Sequence, residues 1–221
     1  MSWIVHNNKS ISSKKDFILI SNPKCGGSSL ERMLRQNKFN LIRPNDLNLV
    51  GHFTLLDTYY KLAESRYRKI KKYLIPIRES LDLRFSWYNY IKQNPENSGH
   101  KITSDLFKKI SFEEYIELLV THNGIKVPSI EILPFLPRSA YLENKLSTTS
   151  EEVDLQIFIY DMTNGFKDLF KIFFEIDVSE EIVENTSLQD KSVEISKELK
   201  QKLMDFDDIS HLNSQKYIYI N

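Results

Sequence analysis

An apolar run that leads through paired glycines into an amphipathic segment constrains this chain most. Residues 17–30 read FILISNPKCGGSSL, which predicts a short buried strand, a tight turn and the start of a helix. Adjacent glycines let the backbone point successive N–H groups at one place, where the positive end of the helix dipole also lies. The segment therefore predicts a phosphate-binding loop, with the Lys24 ammonium and the Ser28 and Ser29 hydroxyls as further anion ligands.

The loop differs from the GxxxxGK[ST] loop of nucleoside triphosphatases, because no lysine directly precedes its hydroxyl pair. The order PKCGGSSL instead resembles the 5′-phosphosulfate-binding loop of sulfotransferases that use 3′-phosphoadenosine-5′-phosphosulfate (PAPS). This resemblance implies that PAPS is held by Lys24, Cys25, Gly26, Gly27, Ser28, Ser29 and Leu30. It also implies that Lys24 neutralises charge on the departing phosphate. At Cys25, where the family often has threonine, we expect the backbone N–H to matter more than the thiol.

A second segment resembles the 3′-phosphate motif of the same family. Residues 73–77, YLIPI, predict another buried strand, which Arg78 closes, and Ser86 follows one helical stretch later. The resemblance implies that Arg78 and Ser86 bind the 3′-phosphate. Their chemistry suits this role, because a guanidinium matches phosphate oxygens with two parallel hydrogen bonds and a serine hydroxyl adds a third donor.

The second motif departs from the family pattern at two positions. Ser80 stands where the family usually has proline, and Leu83 stands where it has a second arginine. Serine is a favourable N-cap, so we expect Ser80 to start the helix in place of proline. Arg84 comes one position late and is expected to face elsewhere.

Residues 50–57, VGHFTLLD, resemble the Gly-His segment of the polysaccharide 2-O-sulfotransferase branch. That resemblance implies that His52 is the base that accepts the proton of the acceptor hydroxyl, and a pKa near 6.5 suits a neutral imidazole to this role. A histidine that caps a turn before a helix at 55–69 is an equally good interpretation. Glu31, on the helix after the loop, is the second candidate base.

Composition excludes several classes of partner. The 221 residues contain 30 Lys+Arg and 30 Asp+Glu, so no net field attracts nucleic acid. A single cysteine excludes an internal disulfide and fits a reducing compartment. One local basic run either attracts an acidic acceptor or forms the solvated face of a helix. It consists of Arg66, Arg68, Lys69, Lys71 and Lys72.

No stretch approaches the ~20 apolar residues that span a bilayer, and residues 1–8 lack the apolar core of a signal peptide. The Golgi enzymes that this sequence resembles carry a membrane anchor. Because this sequence has no such apolar stretch, we expect a cytoplasmic protein without an integral membrane segment. We also expect a soluble relative of those enzymes rather than a trimmed chain, because the sequence begins with methionine.

Apolar strands that alternate with helical segments predict an α/β fold with a mainly parallel sheet. Strands are expected near 16–21, 40–43, 73–77, 153–159 and 217–220. Helices are expected near 28–37, 55–69, 80–93, 111–122, 163–175 and 196–206, the fourth opened by a capping box, SFEE. The segments 94–105 and 124–146 are expected to be loops that wall an acceptor cleft. The family resemblance implies one sulfotransferase-like domain over residues 1–221, with a P-loop-like three-layer fold and helices on both faces of the sheet.

The resemblance implies an enzyme, a PAPS-dependent sulfotransferase that moves a sulfuryl group in line onto an acceptor hydroxyl, expected to be that of a saccharide, and releases 3′-phosphoadenosine-5′-phosphate (PAP). The sequence has no cluster of carboxylates, histidines or cysteines at metal-ligand spacing, so no metal is predicted. Two alternatives stay open. One is a P-loop-like small-molecule kinase, and the other is a catalytically silent nucleotide-binding protein. The sequence marks neither the acceptor nor the oligomeric state.

Overall fold

The computed structural model describes residues 2–7, 16–42, 55–63, 65–93, 101–121, 133–142, 155–162, 165–178, 194–210 and 217–220. The chain divides into two compact units. The first comprises Met1–Arg78, Tyr141–Asn185 and Ser210–Asn221, and the second comprises Glu79–Ala140 and Thr186–Ile209. The prediction of a single domain over 1–221 stays a prediction.

The first unit contains a mixed sheet. Its strands are β1 (Ser2–Asn7), β2 (Phe17–Ile20), β3 (Phe39–Ile42), β4 (Lys72–Ile77), β5 (Gln156–Asp161) and β6 (Tyr217–Ile220). In the described residues the strand order is β3-β1-β2-β4-β5-β6. β2, β4, β5 and β6 pair in parallel, whereas β1 pairs antiparallel with both β2 and β3. β3 therefore runs in the same direction as β2, and β1 alone is reversed among the described strands.

Eight α-helices lie in the described residues. They are α1 (Gly27–Gln36), α2 (Leu55–Ala63), α3 (Ser80–Gln93), α4 (Lys101–Phe107), α5 (Phe112–Thr121), α6 (Ser139–Leu142), α7 (Gly165–Phe174) and α8 (Lys197–Phe206). A 3₁₀ turn lies at Leu133–Phe135. None of these helices is long and apolar enough to cross a membrane.

Aromatic rings hold α7 against the sheet of the first unit. Phe17 of β2 lies 5.5 Å from Phe173, and Phe39 of β3 lies 5.1 Å from Phe174, between ring centroids. Phe170 of α7 is fully buried and contacts Phe174 at 4.9 Å. Edge-to-face contacts of this kind add to the free energy of burying the rings. The helix therefore has a fixed position behind the strands whose carboxyl ends carry the candidate site.

The second unit packs α3, α4, α5 and α8 around another aromatic cluster. Phe107 and Tyr115 are fully buried, with ring centroids 4.7 Å apart, and Tyr88 stacks on Tyr115 at 6.1 Å. The Tyr88 hydroxyl donates to the Ile110 carbonyl at 2.7 Å, so this buried phenol has a partner. Arg84 is the largest fully buried side chain in the described residues. The expectation that it faces away from the second motif's phosphate position is consistent with this burial.

The structure confirms the mixed α/β class and the mainly parallel sheet. It also confirms the capping box, since the Ser111 hydroxyl accepts from the Glu114 N–H at 3.1 Å and Glu114 accepts from the Ser111 N–H at 2.6 Å. Hydrogen bonds from the Ser111 backbone N–H, and after it from the Ser111 side chain, lower the pKa of the Glu114 carboxyl group.

The structure differs from the sequence analysis in several local features. β1 was not predicted, because its short run SWIVHN gives little periodicity on its own. The predicted helix at 55–69 ends at Ala63, and residues 101–105 of the expected loop 94–105 belong to α4. α3 begins at Ser80 as expected, but the N-cap is Glu79, because its carboxylate accepts from the Asp82 N–H at 3.0 Å and its carbonyl accepts from the Leu83 N–H at 2.9 Å.

Candidate anion-binding site at the turn between β2 and α1

Three parallel strands of the first unit end beside one another. Each is followed by a candidate site residue or by a residue that packs against the candidate site. Lys24 follows β2, Arg78 follows β4, and Phe166 follows β5 at the start of α7. Ligands of α/β proteins bind at this edge of the sheet, where the strands end and helices begin. The topology therefore brings the first motif and the arginine of the second motif to the same edge.

The turn has an uncommon backbone conformation. Lys24 has φ 61° and Gly26 has φ 67°, both in the left-handed region. Glycine adopts this conformation freely, whereas a lysine there is strained by about 1–2 kcal/mol. Strain at a non-glycine residue persists only where contacts elsewhere in the fold offset it.

α1 begins at Gly27 with an open N-terminus. Gly26 is the N-cap and supplies no side-chain hydrogen bond, and the first turn contains no acidic residue. The first N–H groups of a helix have no intrahelical acceptor. With the helix dipole they form a site of positive potential, to which the exposed Ser28 hydroxyl adds a donor.

Both glycines are required by close neighbours. A Cβ at Gly27 would lie 1.9 Å from the Ser21 Oγ. A Cβ at Gly26 would lie 2.8 Å from the Phe166 ring and 3.3 Å from the Met162 methyl group. The loop is thus pressed between the end of β2 and the start of α7, so only the smallest residue fits at either position.

Side chains from the strand ends fix the loop. The Arg78 guanidinium donates to the Lys24 carbonyl at 3.2 Å, although 54 residues separate the two in sequence. The Asn22 amide donates to the Pro76 carbonyl at 3.3 Å and thereby joins the ends of β2 and β4. Asn22 is only 6% exposed, and its Oδ1 is a buried acceptor with no hydrogen-bond partner among the described residues. A buried orphan acceptor beside the loop is a cost that functional sites tolerate.

The electrostatics of the loop favour an anion. Burial, and after it the neighbouring positive charge of Arg78, lower the pKa of the Lys24 ammonium to about 8, while Cys25 opposes the shift. Lys24 is therefore mostly protonated at pH 7, but it is held where its charge is unfavourable. An anion between the two cations would relieve this cost.

Other residues of the predicted loop have defined roles in the turn itself. The Cys25 N–H donates to the Asn22 carbonyl at 3.3 Å, and its side chain is 2% exposed. The Leu30 N–H donates to the Gly26 carbonyl at 2.9 Å as an ordinary helical bond. Ser29 is buried. Participation of Cys25, Leu30 and Ser29 in ligand binding stays a prediction.

The roles of the remaining candidates stay predictions. Ser86 is buried on α3, in the second unit, so its convergence with Arg78 stays a prediction. His52 lies outside the described residues. Glu31 pairs with Arg35 one helical turn later, at 3.1 Å, which fits a surface helix residue.

Sequence reasoning missed the residues that shape the turn from behind, which are Ser21, Asn22 and Phe166. A signal existed for Asn22 and Ser21, because polar residues that directly follow a fully apolar strand mark its functional end. Phe166 carried no such signal, since its spacing on α7 is that of an ordinary core residue.

The described residues contain no group of three or more His, Cys, Asp or Glu side chains that could hold a metal ion. No protein-family model matches this chain, and no curated protein or solved structure shows significant similarity to it.

Proposed function

We propose that this chain is a PAPS-dependent sulfotransferase of the carbohydrate type, with a P-loop-like three-layer fold. The observation that best supports the proposal is the hydrogen bond from the Arg78 guanidinium to the Lys24 carbonyl. The two motifs that resemble the sulfotransferase family lie far apart in sequence, and their charged residues meet at one sheet edge. The expected nucleotide site needs this juxtaposition.

The residues of the turn fit a phosphate or phosphosulfate group. The Gly-Gly pair lets the loop backbone pack closely against Ser21 and Phe166, and the N-terminus of α1 has no side-chain cap. We therefore assign the Gly27 and Ser28 backbone N–H groups and the Ser28 hydroxyl to the 5′-phosphosulfate. Arg78 and Ser86 are assigned to the 3′-phosphate.

Bound PAPS would supply an activated sulfuryl group, whose bond to the 5′-phosphate oxygen breaks as a bond to the acceptor oxygen forms. The chain contributes charge, position and a base. Lys24 neutralises negative charge at the 5′-phosphate, where charge increases as that bond breaks. His52 accepts the proton of the acceptor hydroxyl, which is expected to belong to a saccharide.

Thermal shift with PAP and ATP tests the assignment. PAP is expected to raise the melting temperature, and ATP, which lacks the 3′-phosphate, is expected to raise it less. An equal or larger shift with ATP and magnesium would favour the small-molecule kinase. The absence of a shift with either nucleotide would contradict nucleotide binding altogether.

A PAP shift without turnover would favour the silent nucleotide-binding protein. Turnover is measured as release of PAP from PAPS in the presence of unsulfated and partly sulfated polysaccharides. Arg35→Ala serves as the control variant, because Arg35 is an exposed cation on α1 that pairs with Glu31.

A further inference from the structure

The basic run between α2 and β4 is not the face of a helix. α2 ends at Ala63, and residues 65–70 form a turn with a hydrogen bond of 3.2 Å from the Arg68 N–H to the Ser65 carbonyl. Within this turn Arg66 lies against its neighbour Tyr67, because its guanidinium donates to the Tyr67 hydroxyl at 2.6 Å and stacks 4.8 Å from the ring centroid. The run therefore separates into members with different surroundings.

Three other members of the run, Arg68, Lys69 and Lys71, line a cavity of about 360 Å³. The cavity lies at the amino end of β4, whereas Arg78 follows the carboxyl end. At about 3.3 Å per residue, Tyr73 and Arg78 are about 16 Å apart along the strand. The cavity is thus separate from the anion-binding site described above and lies at the opposite edge of the sheet.

The charges in this cavity are not compensated by the described part of the chain. Among the described residues, neither Arg68, Lys69 nor Lys71 forms an ion pair with a carboxylate. The carboxyl end of α2 also borders the cavity and contributes about half a negative charge. Three full positive charges exceed this partial charge, so the cavity favours an anion.

The remaining wall suits the organic part of a ligand. The other described residues that line the cavity are Tyr59, Leu62, Ala63 and Tyr73. Tyr73 is only 2% exposed, and burial together with the nearby Tyr59 raises the pKa of its hydroxyl. The hydroxyl therefore stays a neutral hydrogen-bond donor at physiological pH, and no hydrogen bond within the described residues occupies it.

We infer that this cavity binds a small organic molecule through a phosphate or sulfate group, which Arg68, Lys69 and Lys71 contact while the tyrosine rings contact the rest. The volume falls within the range of small-molecule sites. The inference is independent of the sulfotransferase proposal, because it uses none of the residues at the carboxyl edge of the sheet.

Phenyl phosphate and phenyl sulfate are suitable probes, because they share a ring and differ in the anion. Tyrosine ring signals of ¹³C-labelled protein are followed by NMR, and the signals of Tyr59 and Tyr73 are assigned from Tyr59→Phe and Tyr73→Phe. Saturable shifts of these two signals are expected with both probes, with tighter binding of the phosphate dianion at pH 7.5. Phenol, which lacks the anion, is expected to give none.

Variants locate the binding. A triple variant in which Arg68, Lys69 and Lys71 become Ala is expected to bind phenyl phosphate about tenfold or more weakly. Tyr73→Phe, which keeps the ring, is expected to bind it about threefold or more weakly. In the control, the exposed residues Lys109, Lys197 and Lys200 become Ala, which removes the same amount of charge.

Three results would overturn the inference. The first is the absence of saturable shifts at Tyr59 and Tyr73 in the wild type. The second is an equal loss in the control triple variant, which would indicate non-specific attraction. The third is a loss in Lys24→Ala/Arg78→Ala but not in the cavity variant, which would assign the binding to the carboxyl edge of the sheet.

Discussion

Arg84 and Asp207 form a fully buried ion pair in the second unit, although 123 residues separate them in sequence. The Arg84 Nε donates to Oδ2 of Asp207 at 3.1 Å, and its Nη2 donates to Oδ1. The same guanidinium donates to the Pro134 carbonyl at 2.9 Å and to the Leu136 carbonyl at 2.8 Å. One arginine from α3 thus holds the 3₁₀ turn and the end of α8 together, with every contact charge-assisted.

Removal of Asp207 is expected to be strongly destabilising. Asp207→Ala leaves a buried guanidinium without its counter-charge and removes the acceptor of the Arg138 N–H, which lies at 3.0 Å. We expect the free energy of unfolding to fall by about 3–5 kcal/mol, measured by urea denaturation. The control is Asp205→Ala, which removes an exposed carboxylate from the same helix end and is expected to cost under about 0.5 kcal/mol.

A double variant separates charge from packing. Arg84→Met/Asp207→Leu removes both charges, which often restores stability in buried pairs. Here we expect only partial recovery, because the Leu136 carbonyl and the Arg138 N–H lose their charged partners. Full recovery, or a loss in Asp207→Ala no larger than in the control, would contradict the structural role of this pair.

Gly27 and Ser21 are expected to be energetically coupled. Gly27→Ala places a Cβ 1.9 Å from the Ser21 Oγ, so the hydroxyl must rotate away or the helix must move. We expect a loss of about 1–3 kcal/mol of stability, as for other overpacked sites. In Ser21→Ala/Gly27→Ala the nearest contact becomes the Cβ of residue 21 at 3.2 Å, and part of the loss should be recovered.

The measurement is a double-mutant cycle on melting temperature. Ser28→Ala, which changes the exposed neighbour of Gly27, is the control and should melt near the wild type. Strictly additive effects of the two substitutions would show that the close approach has no energetic consequence.

Lys24 is expected to lower stability in a pH-dependent manner. The pKa of Lys24 is about 8 in the folded chain, and its ordinary value of 10.5 applies in the unfolded chain. Between these two pH values the unfolded chain binds more protons than the folded chain, so the free energy of unfolding rises with pH. Lys24→Asn removes the buried cation and suits the left-handed backbone. Its gain in melting temperature, about 2–4 °C per kcal/mol, should be largest below pH 8 and should shrink toward pH 10.5.

Lys38→Asn provides a matched control, because Lys38 also has a positive φ, 66°, but is exposed. Its effect on melting temperature is expected to be independent of pH across this window. The assignment of a strained, partly buried cation to Lys24 would be wrong if both variants behaved alike.

Arg78→Ala is expected to weaken PAP binding by about 2–4 kcal/mol, the loss expected for a desolvated charge-assisted contact. The substitution also removes the hydrogen bond to the Lys24 carbonyl, which would affect any ligand of the loop. Calorimetry with adenosine 5′-phosphosulfate, which lacks the 3′-phosphate, separates the two effects. A smaller loss for this ligand supports the 3′-phosphate assignment, and an equal loss restricts Arg78 to positioning the loop.

His52→Ala is expected to reduce sulfuryl transfer by about 10²–10⁴-fold, the usual contribution of a positioned base. PAP affinity and melting temperature should stay near those of the wild type, because the role requires only a proton acceptor at the acceptor hydroxyl. The measurement is PAP release from PAPS with the polysaccharide panel. Activity within a few-fold of wild type would transfer the role to another residue, with Glu31→Gln the next variant to assay.

Local patterns predicted the elements that carry their own signals. The apolar run of β2 and its Gly-Gly turn predicted the strand and the start of α1, and SFEE predicted the cap of α5 through bonds that lie within four residues. Helices and turns of this kind depend on contacts between near neighbours, which a sequence displays directly. The same is true of the expectation that Lys24 and Arg78 share an edge, because parallel strands place their carboxyl ends together.

Only the tertiary structure decided the features that depend on distant partners. β1 gains its place from pairing with both β2 and β3, and α4 from burying Thr103 and Ser104, whose polar character had suggested a loop. Likewise, nothing near Arg84 in sequence distinguishes a surface arginine from one buried against Asp207. The sequence by itself determined where the backbone can form the glycine turn between β2 and α1. Packing determined which charges are buried and which are paired, because those energies depend on neighbours that only the folded chain supplies.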